Sequence, residues 1–157
     1  MAFERKNIGT EAALRKIRHY CGYRERSHVE VKEKLYGFGL YKSEVEKMLS
    51  RLIEDNYLNE ERFAVAFAGG KFRMKQWGKT KIRYELKQEQ VSDYCIKKAL
   101  ATIPDDDYEK TLRALAAKKL AELKSEKNIF IKKKKLQNYL AGKGYEFDLI
   151  SGVGNAV

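Results

Sequence analysis

One spacing occurs three times in this chain, and it leaves few folds open. The first copy reads Val31, Leu35, Gly39, Leu40, Val45, Met48, Leu49. The second reads Ile82, Leu86, Gln90, Val91, Ile96, Ala99, Leu100, with the same intervals. The third reads Leu136, Leu140, Gly144, Tyr145, Ile150, Val153. Apolar residues four apart lie on one helix face. A glycine after them accepts the left-handed conformation that ends a helix. The next residue packs back as a plug, and a second apolar helix follows. Gln90 replaces glycine in the middle copy, so that turn is either strained or differently shaped.

A further helix precedes each pair. Its expected core residues are Leu14, Ile17 and Tyr20 in the first copy, then Phe63, Ala66, Phe67 and Met74 in the second. In the third they are Leu112, Leu115, Ala116, Leu120 and Leu123. Ser27 with Glu30 forms a capping-box pattern, and Asn59 stands where it can cap the helix through Phe63. Pro104 followed by Asp105, Asp106 and Asp107 stops one helix and favours the start of the next. The expected architecture is all-α: three tandem three-helix repeats over 11–54, 57–101 and 105–152, forming an elongated, curved molecule. Residues 1–10 read as a frayed N-terminus and 153–157 as a C-terminal tail.

Composition agrees with helix, since Lys, Glu, Leu, Ala and Arg are abundant and Pro104 is the one proline. The formal net charge of +11 favours a polyanionic partner, either nucleic acid or an acidic protein surface. Cys21 and Cys95 are too few for a disulfide framework. No apolar run is long enough to cross a membrane, and no signal peptide is evident, so the expected setting is a reducing cytoplasm.

The chain lacks a phosphate-binding loop with the glycine-rich, Lys-Ser/Thr pattern, so no nucleotide hydrolysis of its own is expected. His19 and His28 sit outside any zinc-ligand pattern and read as ordinary helix residues. The two cysteines read as small buried apolar groups, and the Asp105–Asp107 run as a helix start rather than a metal site. No catalytic residue, metal or cofactor is expected.

The basic residues carry more information. Between Ala64 and Tyr84 there is no acid, yet Lys71, Arg73, Lys75, Lys79, Lys81 and Arg83 all fall there, interleaved with Phe72 and Trp77. Lys79, Arg83 and Lys87 recur every four residues, opposite the Ile82–Leu86 core face, and are expected to form an exposed basic stripe. Trp77, beside Gly78, reads equally well as a contact anchor or as a plug between helices. A second basic group is Arg15, Lys16, Arg18, Arg24 and Arg26, near Tyr20 and Tyr23. The third is Lys132, Lys133, Lys134 and Lys135, which also reads as a solvated helix end.

Two stretches carry a family resemblance. Tyr57-Leu58-Asn59-Glu60-Glu61-Arg62-Phe63-Ala64, followed by Trp77-Gly78-Lys79-Thr80-Lys81-Ile82-Arg83-Tyr84-Glu85-Leu86, resembles the central motif of the RecX family. Arg24-Glu25-Arg26-Ser27 resembles its first-repeat motif, and Gly144-Tyr145 with Asp148 and Ile150 its closing repeat. The chain departs from the pattern at Val31 and Gln90. The resemblance implies a monomeric, non-enzymatic regulator that binds RecA, free or as a filament on single-stranded DNA. It also implies placement in the filament groove, inhibition of ATP hydrolysis and strand exchange, and in some members weak direct binding to DNA. The alternatives are a DNA-binding repeat protein acting without RecA, and a helical adaptor for another acidic partner.

Overall fold

The computed structural model describes residues 6–155. Among them are nine helices and no strand. They are α1 (Thr10–Tyr23), α2 (His28–Gly37), α3 (Lys42–Glu54), α4 (Glu60–Lys75), α5 (Lys79–Gln88), α6 (Asp93–Ala101), α7 (Asp105–Glu122), α8 (Ile129–Lys143) and α9 (Phe147–Gly154). No described helix is long and apolar enough to cross a membrane.

The repeated spacing maps onto repeated structure. Leu35, Leu86 and Leu140 are each fully buried, as are Val31, Ile82 and Leu136 four residues earlier. The residues after the turns, Leu40, Val91 and Tyr145, are all buried plugs. Gly39, Gln90 and Gly144 all have positive φ, at 83°, 58° and 96°. The middle turn therefore keeps the shape of the other two, and Gln90 carries the steric cost of the left-handed conformation.

Local signals set the helix ends. The Ser27 hydroxyl accepts from the Glu30 amide at 3.0 Å, and the Ser27 amide donates to the Glu30 carboxylate at 3.2 Å. Asn59 accepts from the Arg62 amide at 2.8 Å. Asn128 caps α8 by accepting from Phe130 and Ile131.

Two compact units are present. The first is the chain up to Ala66 together with Leu86–Ile96; the second is Phe67–Glu85 together with the chain from Lys97. The first unit has a core of α1, α2 and α3 residues with Leu58 from the connection after α3; Ile17, Leu35, Val45 and Leu52 lie at its centre. Its α1–α2 connection is clasped by chain from the middle copy: the Ser27 hydroxyl bonds Glu89 at 2.6 Å, and Glu25 pairs with Arg62 at 2.5 Å.

The second unit has a matching clasp. The Gly78 amide donates to the Lys143 carbonyl at 2.8 Å and the Thr80 amide to the Gly144 carbonyl at 2.9 Å. Here two backbones meet. A Cβ on Gly78 would overlap the Gly144 carbonyl, and one on Gly144 would overlap Lys81.

Three expectations need correction. Residues 1–5 lie outside the described residues, but Lys6–Gly9 is a fastened strap rather than a frayed end. The Ile8 amide donates to the Phe38 carbonyl at 3.1 Å, and the Asn7 side chain donates to Glu44 at 3.0 Å. This places the strap against the α2–α3 turn through the carbonyl just before Gly39, as Gly78 bonds the carbonyl just before Gly144. Second, Met74 is 83% exposed and Ala66 is also exposed, while Ala64, Ala68 and Phe72 are buried. The buried face of α4 follows the 64–68–72 spacing. Third, Leu120 and Leu123 are only half-buried, because α7 ends at Glu122.

Candidate partner-binding surfaces

The acid-free window is built on the end of α4, the short connection and the start of α5. In the second unit the connection is fixed by a buried polar cluster. The Lys79 amide donates to the Tyr108 hydroxyl at 2.8 Å, and that hydroxyl donates in turn to the Glu146 carboxylate. The Tyr145 hydroxyl donates to the Gln76 carbonyl at 3.0 Å. Burial, and then the carboxylate of Glu146, push both phenols well above the usual tyrosine range. Phe72 and Tyr145 flank the Tyr108 ring at centroid distances of 5.8 and 5.1 Å. Sequence reasoning missed this cluster, because its members lie far apart along the chain.

The cluster decides which cations face solvent. Lys79 turns inward: its ammonium lies 4.9 Å from the Tyr108 ring centre and 4.0 Å from Asp105. Its side chain is only 21% exposed, so the expected stripe of Lys79, Arg83 and Lys87 is not continuous. Arg83 and Lys87 are exposed, and Lys87 lies 3.8 Å from Asp93. Arg73 and Lys75 are exposed at the end of α4. Trp77 is half-buried, with Lys71 at 5.0 Å and Lys81 at 4.6 Å from its ring. It is thus shared by two ammonium groups that lie close to its π system.

The other two groups are partly used within the fold. Arg24 bonds Glu30 at 2.7 Å. Arg26 stacks 3.7 Å from the Tyr20 ring and donates to the Tyr20 carbonyl, leaving its side chain 10% exposed. Both therefore hold the α1–α2 connection, and Arg24 remains exposed to solvent. In the lysine run, Lys132 is half-buried, Lys133 bonds Asn155, and Lys135 pairs with Glu126 at 3.4 Å; Lys134 is exposed.

Both cysteines are buried and free, and burial raises the Cys21 thiol above its ordinary range. Among the described residues no group of three or more His, Cys, Asp or Glu side chains is placed to hold a metal.

Comparison with known proteins agrees with this architecture. Models of the RecX second and third three-helix domains match residues 59–100 and 105–153. The regulatory protein RecX of Prosthecochloris aestuarii is 34% identical over 143 residues, covering 90% of each chain. That of Clostridium botulinum is 32% identical, covering 91% of this chain and 65% of its own length. The chain spans about half, 52%, of the Bacillus licheniformis relative. The crystal structure of RecX from Lactobacillus salivarius superposes with a TM-score of 0.83 over 94% of this chain, at 21% identity.

Proposed function

The chain belongs to the RecX family of regulatory proteins, and from that premise we propose that it regulates RecA by binding. Its partner is RecA, alone and as a filament on single-stranded DNA. Bound in the filament groove as a monomer, it slows ATP hydrolysis and strand exchange. Tandem helical units offer contact points that recur along the chain, as protomers recur along a filament. A bridge between protomers would oppose the movements that hydrolysis requires.

The observation that carries the reading is the acid-free window. Arg73, Lys75 and Arg83 are exposed there with no carboxylate between Ala64 and Tyr84 to cancel them. Charges of one sign in one place add their fields. Trp77 is an aromatic contact beside them.

The test is hydrolysis by preformed filaments of the cognate RecA. Saturating protein should slow it. A Lys75→Glu, Arg83→Glu variant should inhibit at least tenfold less well, with the difference shrinking as salt rises, since screening acts within about 8 Å at physiological ionic strength. Lys134→Glu should have little effect. Unchanged hydrolysis at saturation would refute the reading; loss of inhibition only with Lys134→Glu would move the contact to the third repeat.

A further inference from the structure

We propose that the second unit docks on the surface of an anionic lipid bilayer, without crossing it, through the first turn of α8. Ile129, Phe130 and Ile131 are 59%, 83% and 45% exposed. Among the described residues this is the one place where three consecutive large apolar side chains all face water. Lys132, Lys133, Lys134 and Lys135 follow at once, and Lys124 and Lys127 stand exposed in the connection before α8.

The order of these residues selects the partner. Successive residues of a helix point about 100° apart, so Ile129, Phe130 and Ile131 sweep about 200° around α8. A protein groove covers one side of a helix, and the helix that fits it shows apolar residues three and four apart. Here the apolar residues are consecutive, and so are the four lysines. Polarity therefore changes along the helix axis and not around it. The lysine turn begins about 5 Å along that axis from Ile129. The matching partner is layered in the same sense, with an apolar interior beneath a negatively charged face. An anionic bilayer has that order, and its fluid chains close around an apolar tip from every side.

Charge and hydrogen bonding agree. From Lys124 to Lys135 there are six lysines and one acid, Glu126. Glu126 is held by Lys135 at 3.4 Å, and the nearby Glu122 by Lys119 at 3.7 Å. Lys133 bonds Asn155 at 2.8 Å. Lys124, Lys127, Lys132 and Lys134 form no ion pair among the described residues. Clusters of this size are attracted to anionic headgroups. The tip is also prepared for an apolar medium. The Asn128 side chain accepts from the amides of Phe130 and Ile131 at 3.0 and 3.3 Å, and its carbonyl accepts from Lys132 at 2.9 Å. Amides already bonded cost less to take out of water.

A soluble polyanion would use the lysines and leave the three apolar side chains in water. An uncharged apolar surface would use the tip and leave the ammonium groups unmatched. The inference does not rest on binding to RecA, since the lipid surface needs no protein partner.

The experiment uses the full chain without RecA. Flotation is measured at physiological salt with vesicles of phosphatidylglycerol and phosphatidylethanolamine, beside vesicles of phosphatidylcholine. The anionic vesicles should carry the protein and the zwitterionic ones should not. Phe130→Ser should weaken the association about tenfold, and Lys127→Gln about fivefold. Brominated lipid should quench the emission of Phe130→Trp more than that of the parent, in which Trp77 is the one tryptophan. All three side chains are exposed, so circular dichroism should be unchanged. Absence of association with anionic vesicles would overturn the proposal. Parental association in an Ile129→Ser, Phe130→Ser variant would also overturn it, by showing adsorption through charge alone, and so would an unquenched Phe130→Trp. Weaker inhibition of filament hydrolysis by Phe130→Ser, with parental association with vesicles, would make the tip a protein contact instead. Filament hydrolysis is a separate readout, so failure with vesicles leaves the filament reading standing, and the reverse.

Discussion

Gln90 stands at 58° in φ, where the two equivalent turns have glycine. Its amide donates to the Lys87 carbonyl at 3.0 Å, as Gly39 donates to Tyr36 at 2.9 Å and Gly144 to Ala141 at 3.0 Å. The hydrogen bonding is the same, so the difference between the copies is the side chain's steric cost. Gln90→Gly should therefore stabilise the protein by about 0.5–1 kcal/mol, with the greater freedom of the unfolded chain offsetting part of the gain. Gly144→Ala should be harmful, because that position has both positive φ and no room for a Cβ against Lys81. Chemical denaturation measures both. Equal stability of Gln90→Gly and the parent would mean that the turn relaxes without strain. These positions were legible in the sequence because a turn conformation is a local matter. Lys79 was not: its spacing placed it on the outer face, but Tyr108, twenty-nine residues later, offers its ammonium a ring and its backbone amide a phenol oxygen.

Among the helices, α4 shows where periodicity is ambiguous. Phe63, Ala66, Phe67 and Met74 and the alternative Ala64, Ala68 and Phe72 are both regular patterns, about one residue apart around the helix. Only the neighbours decide between them: they bury the second set together with Phe63, and leave Ala66 and Met74 exposed. The join of α5 with α8 and α9 rests on the backbone clasp at Gly78 and Thr80 and on the Tyr108 cluster, which no local pattern announces. Tyr108→Phe leaves the Lys79 amide and the Glu146 carboxylate without their shared partner, so it should cost about 1–3 kcal/mol. The phenols of Tyr108 and Tyr145 are raised in the folded state, which therefore holds their protons more tightly than the unfolded chain does. Their contribution is fully present below pH 10, the ordinary tyrosine value, and is lost as pH rises beyond it. The denaturation midpoint should fall on going above pH 10, less steeply in Tyr108→Phe. An equal slope in both proteins would assign the alkaline loss to other groups.

For the molecule as a whole, the repeats visible in the sequence and the compact units of the fold do not coincide. The stretch 57–101 reads as one repeat, and most of it matches one family domain. Yet its residues are divided between the two units, with Leu86–Ile96 in the first and Phe67–Glu85 in the second. Sequence similarity reports descent from a common unit; burial reports which faces found each other. A peptide of residues 57–101 should accordingly lack a cooperative thermal transition, since its clasps to Ser27 and to Lys143 are missing. Circular dichroism with a sharp melt would show that the middle repeat folds by itself.

The strap at Lys6–Gly9 bears on how such arrays change their length. In stacked repeats each unit contacts its neighbours. Here the Ile8 amide meets the Phe38 carbonyl as Gly78 meets Lys143, so four residues of ordinary chain fill the slot at Gly39. A duplication inserted between the strap and the first repeat would detach this seal from one turn, yet provide the same receptor on another. Gain or loss of a repeat is then an exchange of equivalent partners at one slot.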